Sequence, residues 1–165
     1  MFVLGVDPGV SRCGFAAVER RGSANRAVAL GVLTTSTDHP LPARLAALQA
    51  DLRALIAEVE PAVVALERVL FSANTRTAMS VGQASGLAMA EAAAAGCHVV
   101  EYSPNQVKDA VCGYGAADKA QVGQMVQRLL GLPSVPKPAD AADAAAVALC
   151  HLAHAPFAGA VEASR

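Results

Sequence analysis

Four acidic residues stand in sequence contexts where a carboxylate is energetically costly. Asp7 and Glu67 each follow a short apolar run typical of a buried strand. Asp140 and Asp143 stand three apart in an alanine-rich stretch, a spacing that puts both on one face of a helix. A buried carboxylate needs a positive partner. Together the four predict a cage for hard divalent metal ions, and the chemistry expected of it is metal-assisted attack on a phosphodiester.

Each acid also has a purely structural interpretation. Asp7 begins an Asp-Pro-Gly sequence, which is turn chemistry in its own right. Glu67 has Arg68 as a neighbouring ion-pair partner. Asp140 is a candidate N-cap, and Asp143 would then be a first-turn acid favoured by the helix dipole. The metal-site interpretation is favoured only when the four acids are taken together.

The hydrophobic pattern predicts an α/β order of elements. The predicted strands are Phe2–Val6, Cys13–Glu19, Ala27–Thr35, Ala62–Leu66 and His98–Tyr102. The predicted helices are Leu41–Val59, Asn74–Ala95, about Asn105–Val111, Lys119–Leu130 and one entered at Asp140. This is the order of the ribonuclease H-like fold, an α/β architecture with a five-stranded mixed sheet flanked by helices. A strand that follows a crossover helix returns parallel, so we expect Asp7 and Glu67 at the same edge of the sheet.

Length and composition set the broad class of the protein. The 165 residues are 54% hydrophobic and 16% charged, which indicates one globular domain. Residues 156–165 show no hydrophobic periodicity and are expected to form a loose tail, which leaves residues 1–155 as the domain. No apolar segment is long and uncharged enough to predict a membrane span. The four cysteines form no C-x-x-C pair, which fits free thiols in the cytoplasm.

Net charge neither favours nor excludes a nucleic-acid partner. The formal charge is −1, from 13 basic and 14 acidic residues, whereas nucleic-acid binders are usually basic. If the four acids of the predicted cage are set aside, 10 acids remain against 13 basic residues. The position of the lysines and arginines relative to the acids therefore decides the question.

Six short motifs stand in one order between residue 1 and about residue 155. They are LGVDPG at 4–9, LERV at 66–69, VGQASG at 81–86, YSPNQVK at 102–108, ADKAQV at 117–122 and ADAADA at 139–144. In order and spacing they resemble the motifs of the RuvC family of Holliday-junction resolvases. The resemblance implies a Mg²⁺-dependent endodeoxyribonuclease that resolves four-way DNA junctions by paired hydrolytic nicks in opposing strands during recombination and DNA repair.

The resemblance also implies a site and partners. All four acids would be catalytic and would bind metal, with two Mg²⁺ ions per active site and Mn²⁺ as the alternative. Lys108 and Lys119 correspond to basic residues that the family needs for cleavage, although either would otherwise be an ordinary solvated lysine. The implied partners are four-way junction DNA, a second copy of the chain, and a branch-migration complex of the RuvA and RuvB type.

Lys119 stands at a predicted helix start, with Asp118 as the cap and Gln121 at the capping-box position. Backbone N–H groups and an ammonium group at a helix start form a phosphate site. The segment 69–76 follows the strand of Glu67 and is expected to border DNA through Phe71 and Arg76. The family commonly carries its aromatic residue where this chain has Leu70, so Phe71 is predicted either to stack on a base or to pack in the core.

The helix predicted at Asn74–Ala95 contains Gly82 and Gly86, and glycine lowers helix stability. Two glycines in one helix indicate a close approach by another backbone. By the resemblance this is the dimer interface, and packing onto the chain's own sheet is the alternative. His151 and His154 share a helix face and are expected at the surface.

Two other functional classes are alternatives to the nuclease. Actin-like and sugar-kinase-like phosphotransferases share the core, but they need a second such domain that 165 residues do not supply. A non-catalytic junction-binding protein would gain from losing negative charge near phosphates. The presence of four acids therefore favours the nuclease.

Overall fold

The computed structural model describes residues 1–68 and 75–162, with the backbone alone described for residues 75–77 and 156–162. The strands are β1 (Phe2–Asp7), β2 (Arg12–Arg21), β3 (Ala24–Thr34), β4 (Val63–Glu67) and β5 (His98–Tyr102). The helices are α1 (Leu41–Val59), α2 (Thr75–Ala94), α3 (Pro104–Cys112), α4 (Lys119–Leu129) and α5 (Ala139–Glu162). The order of elements predicted from the hydrophobic pattern is confirmed.

The strands form one mixed sheet in the order β3-β2-β1-β4-β5. Strands β1 to β3 are an antiparallel meander, while β4 pairs in parallel with β1 and β5 in parallel with β4. In the β1–β4 register, Val6 stands opposite Leu66. Asp7 and Glu67 follow these two residues, so the predicted meeting of the two acids at one edge is confirmed.

Helices cover both faces of the sheet, which explains why β1 is apolar on both sides. Leu4 and Val6 face the layer of α1 and α2, whereas Val3 belongs to the core formed with α3, α4 and α5. Gly5 lies directly beneath α5: a Cβ atom there would be 2.0 Å from the carbonyl oxygen of Ala144. The missing side chain lets the α5 backbone rest on β1, and this contact fixes how far α5 reaches along the sheet.

The hairpin between β2 and β3 is longer than predicted. Its strands pair out to Arg21 and Ala24, leaving a two-residue turn in which Gly22 has φ +60. Two-residue hairpin turns need a positive φ, which glycine adopts without strain, so the strands continue to the turn.

Helix α5 begins one residue earlier than the sequence predicts, and the expectation of a loose tail from residue 156 stays a prediction. It begins at Ala139, so Asp140 is a first-turn residue and its interpretation as an N-cap is wrong. The helical backbone continues to Glu162.

Candidate active site

The four predicted acids line one cavity of about 330 Å³ at the edge of the sheet where β1 and β4 end. Asp7 and Glu67 come from those strand ends, and Asp140 and Asp143 from the first turns of α5. The remaining wall comes from α3, α4 and α5: Pro104, Val107, Lys108, Lys119, Val122, Ala139 and Ala146. The structure therefore brings together six of the eight residues that sequence reasoning assigned to the site.

Burial and mutual repulsion shape the acid–base properties of this cluster. Burial is the first cause that raises the pKa of Asp7 from 3.8 to about 7, and the other three carboxylates add to it, Asp143 most. Lys119 opposes the rise. The pKa of Glu67 is also raised, first by burial and then by Asp143, against the lowering effect of Lys119 and Lys108. The cavity thus concentrates negative charge that two lysines offset only in part.

Two cations contact the carboxylates of α5. Lys119 donates from Nζ to Asp143 Oδ2 at 2.9 Å, and this hydrogen bond is the first cause that raises the pKa of Lys119. Arg12 donates from Nε at 2.9 Å and from Nη2 at 2.7 Å to Asp140 Oδ2. Sequence reasoning missed Arg12. In the sequence, Arg12 is distinguished only by its place shortly after the Asp-Pro-Gly turn. That place predicts a position near the acids only if β2 is known to fold back beside β1.

The acids fit a hard divalent cation by their chemistry. All four line one cavity, and the pKa of Asp7 is raised first by burial and then by the other three carboxylates, two effects that a bound cation would oppose. As the side chains stand, the described ranges contain no group of three or more His, Cys, Asp or Glu arranged to hold an ion. Arg12 and Lys119 each draw one α5 carboxylate to themselves, so coordination by all four requires side-chain rotation.

Local capping fixes Lys119 at its place beside the acids. Asp118 accepts from the backbone N–H of Gln121 at 2.8 Å, and the Gln121 side chain accepts from the N–H of Asp118 at 2.9 Å. The predicted capping box is confirmed. Ser103 and Gln106 form a second capping box on α3, the helix that carries Lys108. Both lysine-bearing helices therefore begin at defined residues, and this fixes where their lysines stand.

Two predicted DNA contacts cannot be placed beside these residues. Phe71 lies outside the described residues, so the choice between base stacking and core packing stays open. Arg76 is in the first turns of α2, but its side chain is outside the description. Both remain predictions.

Helix α2 exposes the glycine face that sequence reasoning singled out. Apart from the neighbouring backbone of α2 itself, a Cβ atom at Gly82 or Gly86 would meet no described atom within 4 Å. Packing of these glycines onto the chain's own sheet, the alternative explanation, is therefore wrong for the described ranges. Met79, one turn before Gly82, is 67% exposed and adds an apolar side chain to the same part of the helix.

His151 is less exposed than predicted. Its Nδ1 lies 2.8 Å from the hydroxyl of Tyr102, and the ring of His154 stacks on Tyr102 with centroids 5.5 Å apart. The expectation that both histidines are simple surface residues is wrong for His151, because β5 and α5 pack together at this point. These side chains do not line the cavity of the acids.

Across the described ranges, no helix is long and apolar enough to cross a membrane. Residues 3–151 match the family model described as "Crossover junction endodeoxyribonuclease RuvC". A relative of that name from Chloroflexus aggregans is 49% identical over 135 residues, which cover 82% of this chain and 82% of the relative.

Solved structures give the same result. The structure of Thermus thermophilus RuvC superposes with a TM-score of 0.87 at 35% identity and covers 96% of this chain and 97% of that chain. T. thermophilus RuvC in complex with a Holliday junction substrate matches with a TM-score of 0.87 at 33% identity, covering 95% and 96% of the two chains.

Proposed function

This chain belongs to the RuvC family of crossover junction endodeoxyribonucleases and is a Holliday-junction resolvase, and we propose that it acts by two divalent-metal-assisted nicks in opposing strands. The observation that carries the proposal is the convergence of four carboxylates from β1, β4 and α5 on one cavity. The phosphotransferase and non-catalytic alternatives find no support in the family match over residues 3–151.

All four acids are proposed to hold the metal ions, with Asp7 as the shared ligand. Burial and then all three of the other acids raise the pKa of Asp7, which supports a position among them. Two Mg²⁺ ions, or Mn²⁺ in their place, would supply a water of lowered pKa and neutralise charge that develops on the phosphate oxygens. The protein's part is to hold the carboxylates at the ends of two paired strands and one helix, so that few groups need to reorganise.

Lys119 and Lys108 are proposed to bind the phosphate that is cut. Both line the cavity with the acids, and Lys119 stands at the N-terminus of α4, where backbone N–H groups favour an anion. An incoming phosphate would share the ammonium of Lys119 with Asp143, which now accepts from it. Lys119 would therefore hold both the phosphate that is cut and the carboxylate of Asp143.

A two-fold dimer is proposed to supply the second nick. One chain offers one cavity of four acids, whereas a junction has two equivalent strands to cut. The face of α2 around Gly82 and Gly86 is open to close approach by another helix, and Met79 beside it is exposed. These observations support α2 as part of the contact between two copies.

Several expectations stay predictions at this stage. They are the assignment of residues 1–155 as the nuclease domain, DNA contacts by Phe71 and Arg76, work in the cytoplasm, and cooperation with a branch-migration complex of the RuvA and RuvB type. Family membership is the support for the last two.

The proposed function is tested with a synthetic four-way junction and a linear duplex of the same arm sequence. Each is incubated with the protein in Mg²⁺ or in a chelator. We expect paired nicks in the junction with Mg²⁺, and no nicks in the chelator or in the linear duplex. Equal cutting of both DNAs, or cutting in the chelator, would contradict the proposal.

A further inference from the structure

Arg12 stands beside the acid cage without belonging to its wall. It is the first residue of β2, and its guanidinium reaches Asp140 Oδ2 through Nε and Nη2. It does not line the cavity of the four acids. Lys119, in contrast, lines that cavity and acts on the pKa of both Asp7 and Glu67. Arg12 therefore lies at the outer rim of the acids, at the Asp140 end.

The Asp140 contact leaves most of the guanidinium available. Arginine carries five N–H donors in a rigid fork. Two of them are engaged by Asp140, and the described part of the chain offers the other three no acceptor. The Arg12 side chain is 49% exposed. One edge of the fork is thus held in place while the other faces solvent, which is the arrangement that suits bidentate contact with an anion.

The residues just before Arg12 are held by hydrogen bonds to other parts of the chain. Arg44, on α1, donates from Nη2 to the hydroxyl of Ser11 and from Nε to Thr35 Oγ1 at 3.0 Å. Thr35 in turn donates from its hydroxyl to the carbonyl of Val10 at 2.6 Å. Because the residues before Arg12 are tied to α1 and to the end of β3, less entropy is lost when Arg12 takes up a ligand.

We propose that Arg12 binds a DNA phosphate adjacent to the one that is cut, on the side of the acids away from Lys119. The inference rests on the proposed function, because a DNA strand at the cavity is its premise. Lys119 reaches Asp143 from α4, and Arg12 reaches Asp140, one helical turn earlier on α5, from β2. A DNA strand whose cut phosphate lies over the acids would then pass Lys119 on one side of the cavity and Arg12 on the other. The free Nη groups of Arg12 bind the adjacent phosphate and so fix the position of the DNA strand, while Asp140 fixes the orientation of the guanidinium.

The test is junction binding as a function of salt, measured in a chelator so that no cleavage occurs. Each phosphate contact contributes about 0.9 to the slope of log affinity against log salt concentration. We expect Arg12→Ala to lower this slope by about 0.9 and to weaken binding several-fold at low salt. Arg12→Lys should restore the slope, since the charge returns, but only part of the affinity, since the fork is lost.

The same strand offers a matched control. Arg21, at the far end of β2, also pairs with a carboxylate, Glu19 Oε2 at 2.6 Å, and its side chain is 66% exposed. Arg21→Ala should leave slope and affinity unchanged. An equal fall with both variants would overturn the assignment, because the effect would then be one of net charge alone.

Unchanged junction binding by Arg12→Ala would also overturn the inference. If Mg²⁺ binding, measured by calorimetry without DNA, were then weaker than in the wild type, Arg12 would be a positioning residue for Asp140. If the wild-type protein nicks junctions while Arg12→Ala keeps the full slope, the phosphate contact alone is wrong. If the wild-type protein neither binds nor nicks junctions, the proposed function fails and the contact fails with it.

Discussion

The backbone carbonyl of Asp140 lies against Gly14 so closely that a Cβ atom on Gly14 would be 2.1 Å from the carbonyl oxygen. Gly14 is paired with Asp7 in the β1–β2 register. One glycine therefore seats the first turn of α5 directly beside the strand end that carries Asp7. The distance between the strand acids and the helix acids depends on this contact between two backbones.

Gly14→Ala is accordingly predicted to impair cleavage through geometry. The first turn of α5 must move to admit the methyl group, at a cost of about 1–3 kcal/mol in the free energy of unfolding. Nicking should fall by more than this loss of folded protein explains, because Asp140 moves away from Asp7. Gly31→Ala is the control: its methyl group would meet the ring of Phe15 at 2.7 Å, so it costs stability without displacing α5. Equal nicking by the two variants at equal folded fraction would contradict the prediction.

The raised pKa of Asp7 predicts how stability depends on pH. The folded state holds a proton on Asp7 up to about pH 7, whereas the unfolded chain releases it near pH 3.8. This contribution to stability is complete below pH 3.8 and is lost as the pH rises through 7. Asp7→Asn should therefore match the wild type near pH 4 and exceed it by about 4 kcal/mol at pH 8. Urea denaturation without divalent ions measures the difference, and a difference that stays constant from pH 4 to pH 8 would show the pKa to be ordinary.

Lys119→Ala is predicted to slow cleavage more than it weakens binding, because Lys119 stands at the acids rather than along the DNA arms. We expect a single-turnover rate lower by on the order of 100- to 1,000-fold, with junction affinity changed much less. Arg128→Ala, in the last turn of the same helix, should leave the rate unchanged. If Lys119→Ala affects affinity and salt slope alone, Lys119 is a general DNA contact.

A bulky residue at Gly82 is predicted to separate two copies without harming one. Beyond the neighbouring backbone of α2 itself, no described atom lies within 4 Å of a Cβ atom at this position, so Gly82→Phe fits the described part of the chain, and phenylalanine has a higher helix propensity than glycine. Sedimentation should show a weaker dimer, and paired nicking should fail before single nicking does. Gly82→Ala is the conservative control. A monomer that still makes paired cuts at assay concentration would rule out the dimer argument.

The parts of the site that follow from local chemistry or chain direction could be predicted from the sequence. Asp118 and Gln121 form their capping box within four consecutive residues, so the local sequence alone predicts it. Asp7 and Glu67 meet because a crossover helix returns the chain in parallel, a rule that needs no side-chain detail.

The contacts that escaped prediction join side chains far apart in sequence. Arg12 and Asp140 are 128 positions apart, and their meeting depends on the rotation of α5 over the sheet. Glu91 interrupts an apolar stretch in the sequence, yet it is buried and accepts from Arg53 at 2.8 and 2.9 Å and from Gln49 at 2.6 Å. Such partners are set by the packing angle of α1 on α2, which hydrophobic periodicity does not encode.

The central claim is that the four acids act as one metal-binding unit centred on Asp7, and cleavage by Asp7→Asn tests it most directly. The substitution removes the proposed shared ligand and one repulsive charge while keeping the shape of the side chain. In a single experiment with four-way junction DNA and Mg²⁺, binding and nicking are measured side by side for the variant and the wild type. We predict junction binding that is intact or tighter, with nicking abolished. Nicking by Asp7→Asn at a rate near that of the wild type would contradict the account.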